Sequence, residues 1–116
     1  MKPESIQLPA DPESALAQLQ SASAEHPVVV FKKSPICPIS QQAESEFHAW
    51  LQAHDGMDCS FSIIDVIAER PLARGLTEAL DVKHESPQAL LFQGGKLTWH
   101  GSHSTLTQAK FATLVG

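Results

Sequence analysis

One cysteine in this sequence stands where thiol chemistry is favoured. Cys37 lies in the run SPICPIS, residues 34–40, between an apolar segment at residues 28–31 and a segment with helical periodicity. A cysteine at the start of a helix meets unpaired backbone N–H groups and the positive end of the helix dipole. Both favour the thiolate, which is the form that attacks disulfides. Pro38 suits the first helical position, because its missing N–H would have no partner there.

The spacing of this motif is that of a single-thiol site. Where a dithiol motif carries its second cysteine, this chain has Ser40, whose hydroxyl or N–H we expect to face the sulfur across the first helical turn. A serine cannot resolve a mixed disulfide, so exchange should stop with Cys37 joined to another thiol, which a separate thiol must release. The alternative interpretation of Cys37 is a buried structural cysteine beside a turn.

The second cysteine is a poor partner for the first. Cys59 precedes the second predicted strand, whereas Cys37 follows the end of the first. In a parallel pair these positions lie at opposite edges of the sheet, about 17–20 Å apart for strands of five or six residues. A disulfide needs Cα atoms within about 7 Å. We therefore expect Cys59 to be buried as a small hydrophobic residue.

The elements that must position Cys37 follow from hydrophobic periodicity and from turn residues. Asp11 and Pro12 resemble an N-cap and first helical position, after a loose lead-in at residues 1–10. The helix after Cys37 is expected to reach His54 and to close at Asp55-Gly56. Strands are predicted at residues 28–31, 60–66, 88–93 and 96–101, with helices from Arg70-Pro71 and from Ser104 or Thr105, where residues 105–108 fit a capping box.

This element order predicts a single α/β domain over residues 1–116. A strand, a crossover helix and a second strand form a right-handed parallel pair, and Gly94-Gly95 closes a hairpin that adds two strands. The expected architecture is a three-layer sandwich: one four-stranded mixed sheet with helices on both faces, and an additional N-terminal helix.

Composition restricts the partners. The net charge is −5, from 13 acidic and 8 basic residues, and no basic run occurs, so we expect neither nucleic acid nor an anionic membrane as a partner. No signal peptide and no apolar run of membrane-spanning length are recognised. Two cysteines are too few for a secreted disulfide scaffold, which favours a cytoplasmic location. We expect a monomer.

Other polar residues have open interpretations. Ser86-Pro87 precedes the third strand, and base rates alone favour a trans bond there. His84 either lies near Cys37 and stabilises its thiolate or bonds a backbone carbonyl in a loop. His100 and His103 are expected to face solvent or to cap. No ligand spacing for a metal is recognised, so we predict no metal site.

Several motifs together make the chain resemble the monothiol bacilliredoxin family. The resemblance covers about residue 28 to the C-terminus, and the combination of CPIS with HESPQ is specific. The sequence departs from the family where Pro35-Ile36 replaces a more polar pair and where Ser104 replaces a common tryptophan. The matching segments are FKKS (31–34), CPIS (37–40), VIAERP (66–71), VKHESPQ (82–88), WH (99–100) and SH (102–103).

The resemblance implies a thioredoxin-like fold and a monothiol thiol–disulfide oxidoreductase. Cys37 would exchange with a low-molecular-weight thiol, bacillithiol or glutathione, as co-substrate with no bound cofactor, and its partners would be S-thiolated proteins. A cis peptide at Ser86-Pro87 would face Cys37, and the Ser86 backbone would pair with an incoming peptide strand. The residues expected to contact substrate are Ser34, Pro38, Ser40, His84, Ser86 and Pro87.

Two other functions remain open from the residues. The missing second thiol and the two departures fit a binding or adaptor module that keeps the fold without turnover. An iron–sulfur carrier is the third hypothesis, although Pro38 argues against it, because it removes an N–H that a cluster sulfur would accept.

Overall fold

A computed structural model of the protein describes residues 4–53 and 58–115. The predicted end of the long helix at His54 and its closure at Asp55-Gly56 lie outside these residues. Within them, the chain forms a mixed sheet of five strands with four α-helices and one short 3₁₀ turn. In order, the elements are β1 Glu4–Ser5, α1 Pro12–Ala22, β2 Val28–Lys33, α2 Pro38–Ala53, β3 Ser60–Asp65, α3 Arg70–Ala79, β4 Gln88–Gln93, β5 Lys96–Ser102, the 3₁₀ turn His103–Thr105 and α4 Gln108–Val115.

The sheet has the strand order β1-β3-β2-β4-β5. β1 and β2 run parallel to β3, whereas β4 runs antiparallel to β2 and to β5. The prediction of four strands is therefore wrong by one. Of the predicted lead-in over residues 1–10, the structure describes residues 4–10, and these include the added strand. The N–H of Glu4 donates to the carbonyl of Cys59 at 2.9 Å, and Leu8 is buried. Backbone bonding, not side-chain pattern, forms this added strand.

The two faces of the sheet carry separate cores, because successive residues of a strand point to opposite sides. Val28 and Val30 of β2 belong to the core beneath α1 and α3. Val29 and Phe31 belong to the core beneath α2 and α4. Lys32 continues the first set, so its side chain extends towards α3.

Local signals explain the start of α1 and the turn between β4 and β5. The Asp11 carboxylate accepts the Ser14 N–H at 3.0 Å and its hydroxyl at 2.8 Å, and these bonds lower the pKa of Asp11. Gly94 and Gly95 take φ angles of 62° and 83° in the predicted hairpin turn, where glycine meets no steric penalty.

The last helix begins later than predicted. A 3₁₀ turn occupies His103–Thr105, and α4 starts at Gln108 with Thr107 Oγ1 accepting the Lys110 N–H at 3.1 Å. The expected start at Ser104 or Thr105, with its capping box, is wrong, because a hydrogen bond to a residue distant in sequence determines where the helix begins. Glu46 of α2 accepts the N–H of Gln108 at 3.0 Å, which fixes where the helix begins. None of the described helices is long and apolar enough to cross a membrane.

Candidate active site

The loop between β2 and α2 places Cys37 at the N-terminus of the helix, as predicted. α2 begins at Pro38, and the Cys37 carbonyl accepts the first helical bond, from the Gln41 N–H at 3.1 Å. The Cys37 N–H donates to the Ser34 carbonyl at 3.4 Å, which closes the turn before the helix. The thiol is free and its residue is half-buried. Solvent therefore reaches this cysteine at the positive end of a 16-residue helix.

Ser40 binds the loop that precedes the cysteine. Its residue is buried, and its hydroxyl oxygen accepts the Ser34 N–H at 2.8 Å. The bond joins the first turn of α2 to the end of β2, so Ser40 shapes the loop that carries Cys37. A contact between Ser40 and the cysteine sulfur stays a prediction.

Removing the Ser40 hydroxyl should weaken this loop. In Ser40→Ala the Ser34 N–H loses its acceptor, and we expect the free energy of unfolding to fall by about 1 kcal/mol. Urea unfolding followed by fluorescence measures the change. Ser104→Ala, at an exposed position, is the matched control and should change stability by less than about 0.5 kcal/mol. Equal unfolding midpoints for the two variants would contradict a loop-fixing role for Ser40.

Cys59 is placed as the sequence predicts, away from Cys37 and inside the protein. It is 2% exposed, and its thiol donates to the Ser60 carbonyl at 3.4 Å. Burial raises the pKa of Cys59 to about 12, and the negative charge of Asp58 adds to this. Ser60 pairs with Val28, at the opposite end of β2 from the cysteine loop, and six residues of strand span about 17 Å. The two cysteines therefore cannot form a disulfide in this fold.

The loop before β4 and the cysteine loop lie at the same end of the sheet, where β2 ends and β4 begins. The antiparallel register pairs Gln88 with Lys32. Residues 83–87, which lead into Gln88, therefore lie near the end of β2. The Ser86-Pro87 peptide bond is cis. The Ser86 hydroxyl is buried and has no hydrogen-bond partner among the described residues, and the Pro87 carbonyl accepts the His103 N–H at 3.1 Å.

A buried lysine supports this loop, and sequence reasoning missed it. Lys32 is fully buried, and its Nζ lies 2.7 Å from Gln88 Oε1 and 2.7 Å from His84 Nδ1. Burial, and then the charge of Arg74, lowers the pKa of Lys32 to about 8. The signal was the alternation in β2, which puts Lys32 on the same face as two core valines.

His84 makes a contact that neither sequence interpretation included, and its effect on the Cys37 thiolate stays a prediction. Its contact is with the Lys32 ammonium rather than with a backbone carbonyl. Burial and then the charge of Lys32 lower the pKa of His84 from its usual 6.5, so the imidazole is neutral at pH 7. His100 and His103 are both exposed, in agreement with the expected solvent-facing positions.

Three exposed apolar side chains lie in the cysteine loop, in the first turn of α2 and in the segment after β3. Ile36 is 79% exposed, Ile39 55% and Ile67 54%. The Val66 N–H donates to the Lys33 carbonyl at 2.9 Å, which brings the segment after β3 beside the cysteine loop. We call Ile36, Ile39 and Ile67 the isoleucine rim.

A groove of about 500 Å³ adjoins the rim. One wall starts at Pro38 and Ile39 on α2, and the opposite wall includes His103 and Ser104 of the 3₁₀ turn. The groove therefore opens beside the residue that follows Cys37. Within residues 4–53 and 58–115, no three His, Cys, Asp or Glu side chains are grouped so that they could hold a metal ion.

Comparison with known proteins assigns the family. The family model described as monothiol bacilliredoxin BrxC matches residues 10–111. The chain belongs to the monothiol bacilliredoxins. A solved structure described as a candidate oxidoreductase with a thioredoxin fold is 34% identical, covers 81% of each chain and has a TM-score of 0.68.

Two thioredoxins of lower identity share the bacilliredoxin fold. A mutant thioredoxin from Halobacterium salinarum is 18% identical, with 98% of this chain and 88% of that chain covered and a TM-score of 0.66. Fasciola hepatica thioredoxin is 13% identical, with 95% and 96% covered and a TM-score of 0.68. The thioredoxin-like α/β fold expected from the resemblance is confirmed. Membership of the bacilliredoxin family, together with this fold, supports a thiol redox role.

Proposed function

We propose that this protein is a monothiol oxidoreductase that removes a small thiol, bacillithiol or glutathione, from S-thiolated proteins. The observation that carries the proposal is a half-buried free thiol, Cys37, at the N-terminus of α2. Ser40 occupies the sequence position at which a dithiol motif has its second cysteine, and Cys59 is buried. Of the two cysteine thiols in the chain, one is therefore available for exchange, and the other is too far away to complete it.

The exchange has two balanced steps. The Cys37 thiolate attacks the small-thiol sulfur of the mixed disulfide, and a new S–S bond forms while the substrate protein leaves as a thiolate that takes a proton from water. The substrate is reduced and Cys37 is oxidised. A second small thiolate then attacks the small-thiol sulfur bound to Cys37. This step forms the disulfide of two small thiols and returns Cys37 as a thiolate.

The loop of residues 83–87 and the rim would bind the protein substrate. Among the described residues, no hydrogen bond is made by the main-chain N–H or carbonyl of Ser86, so both groups are available to an extended peptide. Edge-strand addition of this kind draws its affinity from main-chain hydrogen bonds. The isoleucine rim offers apolar contact beside it. Pro38 and Pro87 would border the bound disulfide, with Ser34 and Ser40 shaping the cysteine loop and His84 supporting the loop of Ser86.

The test is the site and speed of adduct formation. The reduced protein is exposed to bacillithiol disulfide or glutathione disulfide, quenched with acid, and mapped by mass spectrometry. We expect the adduct on Cys37 to form at least about 100-fold faster than on Cys59, since a thiol with its pKa near 12 is almost wholly un-ionised at pH 7. Excess free small thiol should then remove the adduct.

Two further measurements complete the test. Cys59→Ser is the matched control, and it should form the Cys37 adduct at the wild-type rate. A comparison of the two disulfides shows which small thiol reacts faster. An adduct on Cys37 that forms no faster than one on Cys59 would refute the proposed function.

A further inference from the structure

We propose that Lys32 is a positioning residue for this exchange: through Gln88 and His84 it holds the loop of residues 83–87 in the conformation that receives a peptide substrate. The inference rests on the proposed function, because the loop matters to exchange only if Cys37 reacts with protein disulfides. Lys32 touches neither the substrate nor the reacting sulfur in this account. It acts through the residues that it binds.

The Gln88 side chain connects the lysine to the loop main chain. Its Oε1 accepts from Lys32 Nζ at 2.7 Å and from the Glu85 N–H at 3.4 Å. Its Nε2 donates to the Lys83 carbonyl at 3.0 Å. One buried amide thus bonds the loop at two main-chain positions, and the charged donor behind it fixes the amide's orientation. Hydrogen bonds from an ionised donor are about twice as strong as neutral ones.

The loop is also hydrogen-bonded to the end of β5 and to the 3₁₀ turn that follows it. The Ser102 hydroxyl of β5 donates to Glu85 Oε1 at 2.8 Å, and the His103 N–H donates to the Pro87 carbonyl at 3.1 Å. Residues on both sides of Ser86 are therefore held, while the main chain of Ser86 stays unbonded among the described residues. This arrangement holds Ser86 in a fixed place while its main-chain N–H and carbonyl have no partner among the described residues.

The bond between Lys32 and His84 depends on pH. A neutral imidazole accepts from the ammonium at Nδ1, whereas a protonated one would turn an N–H towards another cation and break the contact. The charged groups around His84 are Arg70 and Arg74 from α3, Lys32 from β2 and Glu85 from the loop. Three of these four are cations and oppose protonation. The pH must therefore fall below the usual pKa of histidine before the His84 ring takes up a proton and the loop loosens.

The first experiment compares two lysines of equal charge. Lys32→Met removes the ammonium and keeps a long unbranched side chain, and Lys33→Met makes the same change one residue away on the opposite strand face. With a glutathionylated peptide as substrate, we expect Lys32→Met to raise KM about tenfold with kcat within about threefold of wild type. Lys33→Met should match wild type. Alkylation of Cys37 by iodoacetamide should stay within about twofold in both variants, because this small reagent does not use the loop.

The second experiment separates positioning from simple folding support. His84→Asn keeps an oxygen acceptor near the place of Nδ1 and cannot be protonated. Between pH 7 and pH 5, KM for the peptide should rise in wild type and stay flat in His84→Asn. This comparison remains decisive even if Lys32→Met fails to fold, because a structural role alone would not make KM depend on a titrating ring.

The outcomes distinguish the inference from the function on which it rests. Wild-type exchange with unchanged KM in Lys32→Met overturns the role of Lys32. The same pH dependence of KM in wild type and His84→Asn overturns it as well. A wild-type protein that does not exchange at Cys37 overturns the proposed function, and this inference with it.

Discussion

Replacing Cys37 with serine is expected to abolish release of the small thiol from a thiolated protein, with turnover lowered by at least about 10³-fold. A serine hydroxyl is not ionised at neutral pH and forms no disulfide, so the first bond of the exchange cannot form. Turnover is measured with a fluorescent peptide disulfide and excess small thiol. Cys59→Ser is the control, and it should retain activity within about twofold because its sulfur is buried.

The same variant tests the adaptor hypothesis. A thiol exchange protein should lose covalent capture of its partner in Cys37→Ser, whereas an adaptor should bind its partner equally well with either residue. Binding by titration and capture by non-reducing electrophoresis report these separately. Residual turnover in Cys37→Ser above that of buffer alone would contradict the assignment of Cys37 as the nucleophile.

Removing the central aromatic ring of one core should cost about 3–5 kcal/mol of stability. The ring of Phe47 on α2 lies 5.0 Å from that of Phe31, 5.3 Å from Phe111, 5.7 Å from Phe61 and 5.9 Å from Trp50, centroid to centroid. Phe47→Ala therefore leaves a cavity lined by rings that cannot all move inwards. Urea unfolding followed by circular dichroism measures the loss.

A surface variant supplies the comparison for this core truncation. Ile36 is 79% exposed, so Ile36→Ala should change the free energy of unfolding by less than about 0.5 kcal/mol. The substitution also removes part of the isoleucine rim. A loss in Phe47→Ala no greater than in Ile36→Ala would show that the aromatic cluster does not hold α2 against the sheet.

The parts of the fold that were predictable are those with strong local signals. Residues 28–30 are three consecutive valines, which favour a strand covered on both faces. Gly94-Gly95 fits a hairpin turn, and Pro71 marks the first turn of α3. By contrast, β1 contains a glutamate and a serine, whose side chains give no strand signal. Only its main-chain bonds to β3 reveal it.

The parts of the site that were missed depend on contacts distant in sequence. A lysine is rarely buried unless it is paired, and the partners of Lys32 stand 52 and 56 residues further along the chain. No spacing rule joins them before the sheet register is known. The orientation of Ser40 was missed for a related reason. Its acceptor role depends on how the loop at Ser34 folds back onto the helix.

The short strand β1 has a consequence for the protein's behaviour in concentrated solution. Glu4 and Ser5 occupy the outer edge of β3, where Ser60 and Phe61 would otherwise leave their hydrogen-bonding groups open. An open edge of this kind is a template on which another polypeptide can add a strand and begin aggregation. β1 thus covers the first two residues of that edge, and one of the two residues that cover it is charged.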